Sequence, residues 1–414
     1  MPVGLDNLRR YAAGRSLFAP TTLRRALHKM GFVQADPIRA PARAQDLILR
    51  HRVKNYRNGD LDRSYAKLGV EEDFFINYGF VTREVQALMH PRLDFRKWFR
   101  ASSATRKKRA VLLLEFVRER GVVHPRQVDE HFAHGSVENY WGGSSNATTH
   151  LLDDMHYQGL LRVVRREAGI RLYAAHQHDQ SVIDSVLIDK AVRNARIDAL
   201  VDVVVNIYAP IPARSLVSTI GRLRLAVPQW RREVAKALAR AKQRLAHEHV
   251  DGVEWYWPAG ENPKRNDVQD TVRLLAPFDP VVWDRKRFEL LWGWSYRFEA
   301  YTPPAKRVRG YYALPLLWRD RVIGWGNLSV VNGELKTELG FVESKAARDP
   351  VFKQELEAES ERVKRFLGLA TQWMFARIMW QPGASLLVSS SRVGGRRRET
   401  GLEGRGLPGA TIEE

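Results

Sequence analysis

The side chains whose types and spacing most readily do chemistry are Gln34 and Asp36, separated by one alanine in the segment GFVQADP. If the segment is extended, its two-residue period puts both on one face, about 7 Å apart along the chain. A carboxylate beside a neutral amide can hold and deprotonate one water, and its charge can stabilise an oxocarbenium-like sugar while a glycosidic bond breaks. The usual second carboxyl group, a general acid, is missing. The pair therefore suits a leaving group that needs no proton. A plainer reading fits the same residues: Asp36 as a turn residue ahead of Pro37, with Gln34 exposed beside it. On local sequence alone the plainer reading is the stronger. The catalytic one expects both side chains to be solvent-accessible within a basic concavity.

Other chemistry-bearing clusters are less specific. PFDPVVWDRKR offers Asp279, Trp283, Asp284, Arg285 and Arg287, either lining a charged groove or forming a corner fixed by Pro277 and Pro280, with Asp279 capping a helix. Lys306, Arg307 and Arg309 lie between Tyr301 and Tyr311-Tyr312. That interleaving suits phosphate and minor-groove contact as well as an ordinary sheet face. The pairs His131 with His134, His176 with His178 and His247 with His249 lack a third ligand at a recognisable spacing, so no metal is expected. Cysteine is absent, which excludes disulfides, zinc ribbons, iron–sulfur clusters and thiol nucleophiles. No phosphate-cradling glycine motif occurs, and no cofactor is expected.

The elements that must position these residues follow from periodicity and charge. The chain has 414 residues, with 67 Lys and Arg against 47 Asp and Glu, a net charge of +20. That balance points to a polyanionic partner, nucleic acid foremost. MPVGLDNLRRYAAG lacks an apolar run after its charges and no stretch reaches membrane-spanning length, so a soluble cytoplasmic protein without membrane contact is expected. Between 107 and 175, Ala110, Leu113, Leu114 and Val117 mark one helix and PRQVDEHF a second. A third runs through ATTHLLDDMHYQG, with Thr148, Leu151, Leu152 and Met155 on one face, and a basic hairpin follows. This is the order of a winged helix. Arg162, Arg165, Arg166 and Arg171 on its hairpin are placed to meet phosphates, with Thr149, His150 and Asp153 on the exposed side of the third helix. Residues 4–56 and 192–258 repeat the plan more loosely. The expected organisation is an α+β fold: tandem winged-helix (helix-turn-helix) units over 1–100, 101–180 and 181–262, then a β-rich domain over 263–345. RFEAYTPPAKRVRGYYALPLLW is among its expected strands, and Asn332-Gly333 marks a hairpin turn. A helix from about Asp349 to Trp380 within 346–392 and a disordered tail over 393–414 complete it.

The chain resembles the winged-helix DNA glycosylases of the AlkZ and YcaQ type. Gln34-Ala35-Asp36 matches the Gln–apolar–Asp form of their signature, that of the YcaQ-like, crosslink-repair branch. LDRSYAKLGVEEDFFINYGFVTREVQALMHPR, NYWGGSSNATTHLLDDMHYQGLLRV, APFDPVVWDRKRFELLWGW and YRFEAYTPPAKRVRGYYALPLLW extend the likeness over nearly all of residues 1–345. The resemblance turns the local balance toward Gln34 and Asp36 as catalytic. It implies hydrolysis of N7-alkylated purines, including bases tethered in interstrand crosslinks, because such a base is already cationic and leaves unaided. No lysine adjoins the motif, so a monofunctional enzyme without strand cleavage is expected. Arg39, Arg43 and the hairpin and Lys306–Arg309 cations are expected to bind duplex DNA. The family's architecture implies a monomer, and a hairpin reaching into the duplex, for which Asn332-Gly333 is one candidate. A transcriptional regulator using the same units without catalysis is the competing reading.

Overall fold

The computed structural model describes residues 2–92, 102–132, 135–138, 144–178, 182, 189–264, 269–342 and 348–369. The expected tail over 393–414 lies outside them. The chain mixes helix and sheet in an α+β arrangement, and one element order recurs. Helix α1 (Leu5–Ser16) comes first. Then α2 (Leu23–Met30), β1 (Phe32–Gln34), α3 (Ala44–Leu49) and α4 (Asp60–Ser64) lead to the hairpin β2 (Val70–Phe74) and β3 (Tyr78–Thr82), followed by α5 (Arg83–Met89). Strand β3 lies between β1 and β2.

The second run has α6 (Ala104–Arg120), α7 (Pro125–Phe132), the short ribbon β4 (Ser136–Glu138) and β5 (Ser144–Asn146), α8 (Ala147–Tyr157), then β6 (Leu161–Glu167) and β7 (Ile170–Ala175). Val123 bridges to Tyr173 of β7, so the last strand is again central. The third has α9 (Lys190–Tyr208), β8 (Ile211–Pro212), α10 (Ala213–Arg222), α11 (Arg231–Arg244), β9 (Ala246–Val250) and β10 (Val253–Trp257), in the order β8-β10-β9. Helix–strand–helix–helix–hairpin, with the last strand in the middle, thus occurs in the first and third runs, and in the second with the Val123 bridge in place of the strand and a ribbon inserted before the last helix.

Local chemistry explains the boundaries. Thr22 caps α2 by accepting from Arg25 N–H, and Gly31 at φ 70° ends it. Leu151, Leu152 and Met155 are buried on the expected face of α8. Ala168 and Gly169, at φ 49° and 87°, make the tight turn of β6–β7.

The first run begins at α2, not at α1 as the sequence pattern implied. Leu8, Tyr11 and Ala12 of α1 share a core with Ile197, Leu200 and Val204 of α9. A second core joins α2 and α3 to the C-terminal sheet, while the second run closes a core of its own around Leu113, Leu152 and Val163. The first and third runs and the sheet are therefore one packed body, to which the second run is attached.

The C-terminal sheet is an antiparallel meander of β11 (Val272–Leu274), β12 (Leu314–Trp318), β13 (Arg321–Val331) and β14 (Glu334–Phe341), with α12 (Arg285–Trp292) between β11 and β12. Asn332 and Gly333, at φ 53° and 78°, form the expected turn. Residues 297–313, read as strand, are irregular instead. Pro303 and Pro304 remove ladder donors, and the Glu299 carboxylate takes the backbone N–H groups of Val308, Arg309 and Gly310. The last helix, α13 (Pro350–Leu367), ends at Gly368 with φ 74°; the rest of the helix expected to Trp380 lies outside the described residues.

Candidate active site

Strand β1 delivers Gln34 to the body of the sheet, where it pairs in register with Gly79 of β3. A Cβ at Gly79 would collide with the Val33 carbonyl oxygen and the Phe32 ring and lie 2.9 Å from the Gln34 Cα, so only glycine permits this approach. Gln34 is 5% exposed, against the expectation of an open side chain. Its Oε1 is buried with no hydrogen-bond partner in the protein.

The chain leaves the strand after Ala35, whose N–H donates to Tyr78 O. Asp36 N–H donates to Gln45 Oε1 at 3.4 Å, and Asp36 Oδ1 accepts from Ile38 N–H at 2.9 Å. This is the turn contact of the plainer reading. It occupies one carboxylate oxygen, and no described contact takes Oδ2. Turn and catalytic roles are compatible. Asp36 is half-buried, and burial pushes its carboxyl above the usual range while the Ile38 bond partly opposes the shift.

Aromatic rings face this end of the strand. The charge of Asp36 helps push up the hydroxyls of Tyr301 and Tyr312, after burial. Phe298 lies edge-on to Tyr312 at 5.4 Å, to Tyr301 at 6.0 Å and to Phe278 at 5.2 Å. Tyr312 is buried with an unpartnered hydroxyl, whereas Tyr301 is 74% exposed. Along the same loop Lys306 is exposed, Arg307 donates to Thr302 O and lies over Tyr311, and Arg309 is packed over Trp294 and Trp325.

The hairpin arginines have carboxylate partners. Arg162 reaches Glu71 at 2.5 Å, Arg166 grips both oxygens of Glu72 at 2.7 and 2.6 Å, Arg171 pairs with Asp153, and Arg165 meets Glu167. Burial alone would raise Glu72, but the Arg166 fork outweighs it and holds the carboxyl below its usual range. Asp153, expected to be exposed, is half-buried by this pairing, while Thr149 and His150 are exposed. Arg43 is held by Asp62 and Asp46. Arg39 is exposed and lies against the β6–β7 turn, near Gly169.

The PFDPVVW segment is a structural corner. Asp279 and Arg52 form a fully buried pair at 2.7 and 2.9 Å, and Asp284, not Asp279, caps α12. Arg287 is buried and donates to backbone carbonyls, including Pro210 O.

A model of the DNA glycosylase AlkZ-like family matches residues 27–366. The chain belongs to the AlkZ-like DNA glycosylase family. The solved structure of Streptomyces sahachiroi DNA glycosylase AlkZ has a similar fold, with a TM-score of 0.58 at 15% identity over 92% of this chain and 100% of that one. In this AlkZ-like chain, Asp36 and the rings of Tyr301 and Tyr312 come together; Lys306 and Arg307 lie between those tyrosines in sequence, Arg309 is packed away over Trp294 and Trp325, and Arg39 is three residues from Asp36. Arg43, Arg162, Arg166 and Arg171 stand in internal ion pairs instead. Gln45, Phe278 and Phe298 were missed because nothing in their spacing marks them. Gly79 alone had a sequence signal, a glycine inside a strand. Among the described residues no helix is long and apolar enough to cross a membrane.

Proposed function

We propose that this glycosylase hydrolyses the N-glycosidic bond of N7-alkylated purines in duplex DNA, with Gln34 and Asp36 activating the water. The observation that carries the reading is a pair of polar groups left open at one site: buried Gln34 Oε1 without a partner, and Asp36 Oδ2 beside it in sequence. Gln34 accepts one hydrogen of the water, and Asp36 takes a proton as the oxygen bonds to C1′ of the sugar. The Asp36 charge stabilises the oxocarbenium-like centre meanwhile. The alkylated base departs with the bonding electron pair, which neutralises its positive charge, so no acid is required. Burial that raises Asp36 makes it a stronger base.

Arg39, Arg165, Lys306 and Arg307 are the cations we assign to DNA phosphates, acting as a monomer on the duplex. The exposed Tyr301 ring and half-buried Phe298 offer an apolar face beside the reacting centre. A cleft of about 350 Å³, lined by Arg15, Lys29, Arg52 and Glu261, does not include Gln34 or Asp36. Asp36 is only half-buried and Tyr301 near it is exposed, and a reacting centre that is not enclosed suits a base tethered to the opposite strand, which cannot swing into an enclosure. The exposed Val330–Gly333 tip of β13–β14 is assigned to duplex contact.

The test is release of 7-methylguanine from alkylated duplex DNA. Asp36→Asn should lower the rate by about 10² to 10⁴ with binding retained. Abasic product should need added alkali or heat before the strand breaks, and a defined N7–N7 crosslink should be unhooked by wild type only. Wild-type-like release by Asp36→Asn would sink the assignment.

A further inference from the structure

We propose that His90, His176 and His178 form a zinc site that ties the second run to the first. The sequence shows only the pair His176 and His178, at the foot of β7. The fold adds His90, from the end of α5, and one ligand nitrogen of each of the three lies within 4.8 Å of the others. Three nitrogens bound to one zinc at 2.0–2.1 Å stand about 3.3 Å apart, so the rings, of which His90 and His178 are stacked at 5.6 Å, must turn and draw together to close the site.

The hydrogen bonds set the nitrogens for this. His90 Nε2 donates to Asp73 Oδ2 at 2.7 Å, which leaves the proton on Nε2 and the lone pair on Nδ1. That Nδ1 is buried with no partner in the protein, on a residue 6% exposed. His178 Nε2 lies 2.9 Å from Gly159 O, and a carbonyl only accepts, so His178 also turns its Nδ1 lone pair free. A carboxylate behind a ligating imidazole is the usual way of fixing its tautomer and raising its basicity.

Surroundings agree. A Cβ at Gly159 would sit 2.8 Å from His90 Nδ1, so glycine keeps the space beside the ring open. Asp73 supplies negative charge, with Arg92 on its other oxygen and Arg162 near His176 opposing it. Three imidazoles favour a borderline divalent ion, and the remaining position falls to water. Asp73 opposes Gly79 in register, and Gly79 opposes Gln34, so the site sits two strands from the catalytic pair.

The full chain, purified without a histidine tag and loaded with zinc, should retain one ion per molecule through dialysis. Cobalt in its place should give the strong visible bands of a four-coordinate site. His176→Ala and His178→Ala, each checked for folding by circular dichroism, should lose the retained ion and the zinc-dependent rise in Tm. His249→Ala, at an exposed histidine, should keep both. Sub-stoichiometric zinc in wild type, or equal retention by the His176 and His178 variants, would overturn the proposal. Neither result depends on glycosylase activity.

Discussion

Asp36 combines two demands that pull in opposite directions, and this separates its roles experimentally. Its folded pKa is raised above the ordinary 3.8, so folding favours the protonated form. The stabilisation is present below that ordinary value and is lost as pH rises through the folded one. At neutral pH the ionised carboxylate therefore costs stability. Asp36→Asn keeps an oxygen for Ile38 N–H and removes the charge, so Tm at pH 7 should be unchanged or higher while base release collapses. Asp36→Ala, which also removes the acceptor for Ile38 N–H, should in contrast lower Tm if the turn contact matters to the fold. The acid limb of kcat/KM should likewise fall above pH 3.8. Gly79→Ala tests the other half of the pair. The added methyl forces β1 and β3 apart beside Gln34, at a cost of about 1–3 kcal/mol in a urea melt, and base release should fall with it.

Between elements, carboxylates on β2 hold the β6–β7 hairpin. Glu72 is buried and Arg166 only slightly exposed, so the pair differs from a surface ion pair. Arg166→Ala leaves Glu72 with Tyr78 and the more distant Arg171, and should cost about 3 kcal/mol in a urea melt at pH 7. A cost under about 1 kcal/mol would mean that the pair acts as a screened surface contact. The Glu72 carboxyl is held below its ordinary 4.5, so its contribution is present above that value and lost as pH falls. What the sequence made legible here was local. The apolar spacing of α6 and α8 and the Ala168-Gly169 turn are properties of neighbours in the chain. Arg162 and Arg166 were read as phosphate contacts because their carboxylates sit more than ninety residues earlier, on β2. The Tyr301–Tyr312 loop looked like strand because its hydrogen bonds go to the Glu299 side chain, which no period reveals. Gln34 and Asp36 were legible as a pair, but the burial of Gln34 depends on Gly79 in a distant strand.

For the whole molecule, a net charge of +20 overstates the surface presented to DNA, because several cations are internal. Arg52 and Arg287 are fully buried, and Arg162, Arg166 and Arg171 face carboxylates. Salt dependence distinguishes the two sets, since each phosphate neutralised contributes about 0.9 to the slope of log Kobs against log salt. Lys306→Ala and Arg39→Ala should each lower that slope by about 0.9 and weaken damaged and undamaged duplex alike, with Tm unchanged. Asp279→Asn should do the reverse. It strips the charge from the partner of fully buried Arg52, so it should cost roughly 3–5 kcal/mol of stability and leave the slope of the folded fraction unchanged. Should Lys306→Ala leave the slope intact, the loop bearing Tyr301 and Tyr312 does not meet the phosphates, and the duplex must approach Asp36 from the Arg39 and Arg165 side instead. The two single variants therefore report the direction from which DNA reaches the proposed catalytic pair.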